Sequence, residues 1–156
     1  MRCLVTGGAG FIGSNIAETL LNRGDEVVVL DNLSTGKREN IAPFASTGRF
    51  TFIEGSVTDP AVCRAACEGA DYVFHEAAMV SVTGSIEDPV ATNNVNVIGT
   101  ANMFLAARDA GVKRVVWASS TSVYGNSPVL PNVETMPLDP LSPYAASKAA
   151  GEMLAR

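Results

Sequence analysis

Histidine and tryptophan each occur once among these 156 residues, and there are only three cysteines. A metal centre needs several ligands close together, and no such grouping surrounds Cys3, Cys63, Cys67 or His75. Three cysteines cannot pair completely among themselves, so they read as reduced, buried thiols. Basic residues are outnumbered, 11 against 16 acids for a net charge of −5, which argues against a nucleic-acid binder. No apolar run approaches the ~20 residues of a membrane span. Met1-Arg2 leads directly into a strand-like run with no leader pattern. The expectation is a cytoplasmic protein with neither membrane nor nucleic-acid partners. Repeats and low-complexity tracts are also lacking. What is present, 47% hydrophobic and 17% charged residues, suits one compact domain over residues 1–156.

Short β-rich runs alternate with helical patterns. Strands are predicted at Cys3–Thr6, Glu26–Asp31, Phe50–Glu54, Asp71–His75 and Arg114–Ala118. Between them lie helices at Phe11–Asn22, which ends at Gly24, at Pro60–Cys67 with Asp59 as its cap, and at Pro89–Ala110, which Gly111 closes. A last helical pattern runs from Pro143 to the final residue, Arg156, and reads as interrupted there. Residues 125–143 are rich in proline and polar residues and read as a long loop. Strand–helix alternation implies parallel pairing with right-handed crossovers. The predicted fold is α/β, a doubly wound parallel sheet in the order 3-2-1-4-5.

Residues 6–13 read TGGAGFIG, placing Gly7, Gly10 and Gly13 between the first strand and the first helix. That context is the one in which glycines let the backbone turn sharply and approach a pyrophosphate, with the helix start aimed at the phosphates. Asp31 closes the second strand eighteen residues past Gly13, where a carboxylate accepts bonds from the adenosine ribose hydroxyls. It would repel a 2′-phosphate, which favours NAD over NADP. Lys37 and Arg38 follow closely and read as a solvated loop.

Tyr144 and Lys148 lie four apart on the last helix and share a face. Ser142 suits its N-cap and Pro143 its first turn. A phenol is a weak base at neutral pH, and a neighbouring ammonium favours its phenolate form. The hydroxyls of Ser119-Ser120-Thr121-Ser122 follow the fifth strand, at the sheet edge where ligands gather.

In order along the chain stand TGGAGFIG, HEAA at 75–78, NVIGT at 96–100, SSTSVYG at 119–125 and SPYAASK at 142–148. The set resembles the extended short-chain dehydrogenase/reductase family, and most closely its NAD-dependent nucleotide-sugar epimerases of the UDP-glucose/UDP-galactose type. The resemblance covers all 156 residues, but only the Rossmann-like cofactor half of such enzymes, without their C-terminal substrate domain. It implies that Tyr144 is the general acid and base. Lys148 would hold the nicotinamide ribose and tune Tyr144, and Ser120 would bond the reacting sugar oxygen. Phe11 and Ile12 would cover the pyrophosphate turn. Asp31 and Asn32, with Ser34, Thr35 and Gly36 of DNLSTG, would contact the adenosine ribose. Ser56 and Val57 would lie by the adenine, Ala77 and Ala78 would line the cofactor channel, and Asn96 would brace it. His75 would be structural.

The implied chemistry is transient oxidation at sugar carbon 4 through a 4-keto intermediate, with NAD regenerated. Two departures bear on it. Gly55-Ser56 stands where the family usually has Gly-Asp beside the adenine. Thr121-Ser122-Val123 lacks the glutamate of the dehydratase and decarboxylase branches. The alternatives are a net oxidoreductase on a nucleotide sugar and a non-catalytic dinucleotide-binding module. The family also implies a homodimer built on the helices from Pro89 and Pro143, with Met103, Phe104, Leu105, Met153 and Leu154 as candidate interface residues.

Overall fold

Five runs with enough β-branched and aromatic residues to be strands, each followed by a helix-forming segment, build one parallel sheet. The computed structural model describes residues 1–156. Its strands are β1 (Arg2–Thr6), β2 (Glu26–Asp31), β3 (Phe50–Glu54), β4 (Tyr72–His75) and β5 (Arg114–Trp117), and their order is β3-β2-β1-β4-β5. The helices are α1 (Phe11–Asn22), α2 (Arg38–Ile41), α3 (Pro60–Cys67), α4 (Val82–Glu87), α5 (Pro89–Asn93), α6 (Thr100–Asp109) and α7 (Pro143–Leu154). The chain is therefore the Rossmann-like doubly wound sheet expected, in the expected order.

Alternate residues of the central strands feed two cores. Leu4, Val28, Leu30 and Val73 pack against Cys63, Cys67, Met103 and Ala106 of α3 and α6. Cys3, Val5, Val27 and Val29 pack against Ala17, Leu20 and Leu21 of α1, with Ile41 and Phe44. A strand covered on both faces must be apolar throughout, which is why β2 reads EVVVLD. The three thiols are free and buried. Burial pushes Cys63 up to about 11 and Cys67 up to about 12, so neither is a nucleophile near neutral pH.

Two expectations are corrected in detail. The helix from Pro89 is not uniformly α: Asn94–Gly99 forms a π-helical segment between α5 and α6. Met103 is not available to an interface either, and Phe104 is half-buried. Met103 is wholly buried, its sulfur 3.6 Å from Cys67 Sγ, and Phe104 meets His75 and Trp117 edge-on. The exposed apolar side chains of these helices are Val90, Ile98, Leu105, Met153 and Leu154.

The strands are in register, with Thr6 beside Leu30 and His75, His75 beside Trp117, and Asp31 beside Glu54. All five carboxyl ends therefore meet along one edge. The glycine turn, DNLSTG, Gly55-Ser56-Val57, HEAA and SSTS all emerge there.

Candidate functional site

The glycine turn is built by exclusion of side chains. Gly7 has φ +65°, and a Cβ on it would lie 2.8 Å from the Ala77 nitrogen. A Cβ on Gly13 would run into the Gly7 carbonyl oxygen and sit 2.7 Å from Gly8 Cα. Gly10 precedes α1 and offers its amides no side-chain cap. Helices α3, α4, α5 and α7, by contrast, are capped by Asp59, Ser81, Asp88 and Ser142. The first amides of α1, those of Phe11, Ile12 and Gly13, thus face the sheet edge with the positive end of the helix dipole and no acceptor within the helix. The Phe11 and Ile12 side chains point elsewhere. They are exposed and line an apolar groove with Ile16, Leu20 and Phe74. What these two residues bring to the turn is backbone.

Asp31 is buried at the end of β2. Its Oδ2 accepts the Ala9 amide at 2.9 Å and its Oδ1 the Leu33 amide at 2.8 Å. Each oxygen retains a second lone pair, so the carboxylate can fasten the turn and still accept from a diol. The Ser34 amide donates to Asn32 Oδ1 at 3.1 Å, and the Lys37 amide to the Ala9 carbonyl at 2.9 Å. DNLSTG therefore folds back over Ala9, leaving Asn32, Ser34 and Thr35 exposed. Gly36 permits this, since a Cβ there would lie 2.9 Å from Asp31 Oδ2. Arg38 pairs with Glu54 and lies over Phe52, 5.4 Å from the ring centroid. After β3, Ser56 and Thr58 share a hydroxyl contact of 2.8 Å, and the Val57 carbonyl accepts from Asn102 Nδ2 at 3.1 Å.

HEAA is anchored by a buried relay. The Ala77 amide donates to Thr6 Oγ1 at 3.1 Å, Thr6 Oγ1 meets His75 Nδ1 at 2.6 Å, and His75 Nε2 meets Thr100 Oγ1 at 3.1 Å. A neutral imidazole, one nitrogen donating and one accepting, satisfies this arrangement. Burial, aided by the Lys148 charge, pushes His75 down to about 3. An unfolded histidine protonates near pH 6.5. Below that pH the unfolded chain therefore binds one proton more than the native chain. Stability contributed by His75 is complete above about pH 6.5 and is lost as pH falls toward 3. The expected loss is about 1.4 kcal/mol per pH unit in that window. Urea midpoints between pH 7 and pH 4.5 check it, and a His75→Asn variant should show a shallower dependence.

The other half of the site gathers at β5 and α7. Lys148 is only 5% exposed, yet its Nζ donates to the Ala118 carbonyl at 2.8 Å and so reaches the carboxyl edge of the sheet. Burial lowers its proton affinity, and the charge of Glu76 opposes that effect. Ser120 Oγ accepts from the Ser122 amide at 3.2 Å and lies 2.8 Å from Ser122 Oγ. Tyr144 is half-buried, one turn before Lys148.

The Tyr144 backbone is held at both ends. Its amide donates to Ser85 Oγ of α4 at 3.0 Å, and its carbonyl accepts from Ser147 Oγ at 2.7 Å. Asn96 Nδ2 donates in turn to Ser147 Oγ at 3.0 Å and to the Met79 carbonyl at 2.9 Å, while its Oδ1 accepts the Met79 amide at 2.8 Å. Asn96 thus ties the segment after HEAA to α7 from inside the π-helical turn. Ser85, Glu76 and the Thr6–Thr100 relay escaped sequence reasoning. The signal that could have found α4 is Ser81, whose side chain caps that helix.

β1, β4 and β5 are neighbours, so the glycine turn and Lys148 stand two strand spacings apart, about 10 Å. The half-buried Ala77 and Ala78 follow the strand between them. A side-chain-free cradle, uncapped amides and a carboxylate at the end of β2 together fit a dinucleotide with an unphosphorylated ribose. No group of histidine, cysteine or acidic side chains could hold a metal ion, and no helix is long and apolar enough to cross a membrane.

Comparison with known proteins agrees with this geometry. Residues 3–156 match the model of the NAD dependent epimerase/dehydratase family. The chain is 46% identical over 155 residues to a UDP-glucose 4-epimerase of Mycolicibacterium smegmatis, covering 98% of this chain and 50% of that protein. Among solved structures it resembles a Thermus thermophilus UDP-glucose 4-epimerase complexed with NAD, at 46% identity and TM-score 0.88. It also resembles a Streptomyces venezuelae dTDP-glucose 4,6-dehydratase with NAD bound, at 42% identity and TM-score 0.94. Both alignments cover 99% of this chain and 50% of the other. The chain thus spans about half the length of the relatives it matches. It belongs to the NAD-dependent epimerase/dehydratase family, and its cofactor is NAD.

Proposed function

We propose that this chain is the cofactor-binding and catalytic half of a nucleotide-sugar 4-epimerase, acting on a UDP-sugar in a cytoplasmic setting. The observation that carries this reading is the Lys148–Ala118 bond, which brings the Tyr144 helix to the same sheet edge as the uncapped start of α1. The amides of Phe11, Ile12 and Gly13 would bind the pyrophosphate, and Asp31 with Asn32 the adenosine ribose. Ser34, Thr35 and Gly36 would close that side, Ser56 and Val57 would hold the adenine, and Ala77 and Ala78 would form the floor. Lys148 would hold the nicotinamide ribose. Bound NAD would accept a hydride from sugar carbon 4 and return it. Tyr144 would take the proton of the 4-hydroxyl and give it back, while Ser120 orients that oxygen. Asn96 positions Tyr144 through Ser147 and needs no direct cofactor contact to do so.

Thr121-Ser122-Val123 provides no carboxylate beside Ser120 for chemistry at other carbons, which favours epimerisation over dehydration or decarboxylation. The exposed Val90, Ile98, Leu105, Met153 and Leu154 support a homodimer through the α5–α6 and α7 helices. Light scattering should give twice the chain mass, and Leu105→Glu should return it to the monomer.

Remote binding energy aligns a reacting centre. The chain by itself is therefore expected to bind NAD weakly and to turn over poorly. A chimera joining residues 1–156 to the second half of the Mycolicibacterium smegmatis enzyme should interconvert UDP-glucose and UDP-galactose without accumulating NADH. Stoichiometric NADH would instead identify a net oxidoreductase. A chimera that folds and binds NAD but converts neither sugar would contradict the proposal.

A further inference from the structure

Trp117 closes β5 and is the only tryptophan of the chain. Three residues from two helices meet on its indole. Phe104 of α6 contacts it edge-on, with ring centroids 6.4 Å apart and planes at 82°. Gly151 of α7 lies so close that a Cβ there would overlap the indole six-membered ring. One turn earlier on α7, Lys148 Nζ stands 5.1 Å from the ring centroid. The indole is thus a wedge beneath α7, and residue 151 must be glycine for the helix to sit this low.

The Lys148 ammonium has been taken out of water, and removing a charge from water is costly without compensation. Its surroundings supply little. It makes one hydrogen bond, to the Ala118 carbonyl, and no carboxylate lies within ion-pair distance. Glu76, following β4, couples to it only at longer range. His75 of β4 is neutral. Tyr144 lies one turn away on α7, and Glu152 is occupied by the Ser119 hydroxyl at 2.6 Å. The largest electron-rich surface against the ammonium is the indole face, and tryptophan has the strongest cation–π attraction of the aromatic side chains.

We infer that Trp117 is a positioning residue for Lys148: its π face keeps the buried amine charged and aimed at the sheet edge, while its rim fixes the height of α7 through Gly151. The benefit to turnover rests on the role proposed above for Lys148, but the contact can be tested without turnover or NAD.

One tryptophan and three lysines, Lys37, Lys113 and Lys148, make the experiment specific. Biosynthetic incorporation of mono-, di- and trifluorotryptophan changes residue 117 alone and drains density from the ring with little change of shape. Lysine side-chain NMR then follows the titration of Lys148, with Lys37 as the internal control. The midpoint of Lys148 should fall stepwise with each fluorine, to about tenfold weaker proton affinity at the end of the series, while that of Lys37 stays fixed. Trp117→Phe should lie nearer the native value than Trp117→Leu. An unchanged Lys148 midpoint across the fluorinated series would overturn the inference and leave Trp117 as packing only. A midpoint that falls in a chain unable to bind NAD would support the inference while removing the proposed function.

Discussion

A methyl group at residue 13 is expected to weaken NAD binding by roughly 100-fold. In Gly13→Ala the new carbon would collide with the Gly7 carbonyl and stand 2.7 Å from Gly8 Cα. Those neighbours are backbone, so no side chain can swing aside. Either α1 retreats or the turn opens, and overpacking of this kind costs about 1–3 kcal/mol. The displaced atoms are also the ones that would receive the pyrophosphate. Recovering the native turn on binding would be charged against affinity, roughly 100-fold for about 3 kcal/mol. Titration calorimetry checks the affinity and thermal unfolding the fold. Gly24→Ala is the control. Gly24 has φ +94° with nothing within 4 Å of the added carbon, so the exchange should cost about 1 kcal/mol of stability and leave NAD affinity alone.

The second large effect is expected at Tyr144. In the chimera, Tyr144→Phe should lower turnover by about 10²–10⁴-fold, the usual worth of a positioned proton-transfer group. NAD affinity and thermal stability should stay near native, because the backbone contacts to Ser85 and Ser147 do not involve the phenol. Lys148→Met should behave differently. It removes the bond to Ala118 and, on the proposed reading, the ribose contact as well, so it should weaken NAD binding as well as turnover. If Tyr144→Phe kept native turnover, proton transfer would have to be assigned to another group.

The order of the sheet was legible because β-rich runs and helical patterns alternate cleanly, and parallel crossovers leave little choice of topology. The glycine turn was equally legible, because a strand, a run of glycines and a helix start are contiguous in sequence. The rest of the site depends on contacts between distant segments, and there local patterns fail. Six-residue α4 is too short to show a helical period, yet it carries the Ser85 hydroxyl that holds the Tyr144 amide. The π-helical segment Asn94–Gly99 has the composition of ordinary helix. Met103 and Phe104 were interface candidates by resemblance alone, whereas the buried Thr92, Asn96, Thr100, Met103 and Ala107 recur at helical spacing and place Met103 inside. Trp117 reads in sequence as one more apolar strand residue. Only the fold shows Gly151 and Lys148 resting on it.

The central claim is that α1 and α7 hold opposite ends of one dinucleotide. The most direct measurement is a crystal structure of the chain with NAD. The account predicts the pyrophosphate on the amides of Phe11, Ile12 and Gly13, a hydrogen bond from Lys148 to the nicotinamide ribose, and the nicotinamide ring facing Tyr144. An NAD seated on the glycine turn with its nicotinamide half directed away from α7 would contradict it.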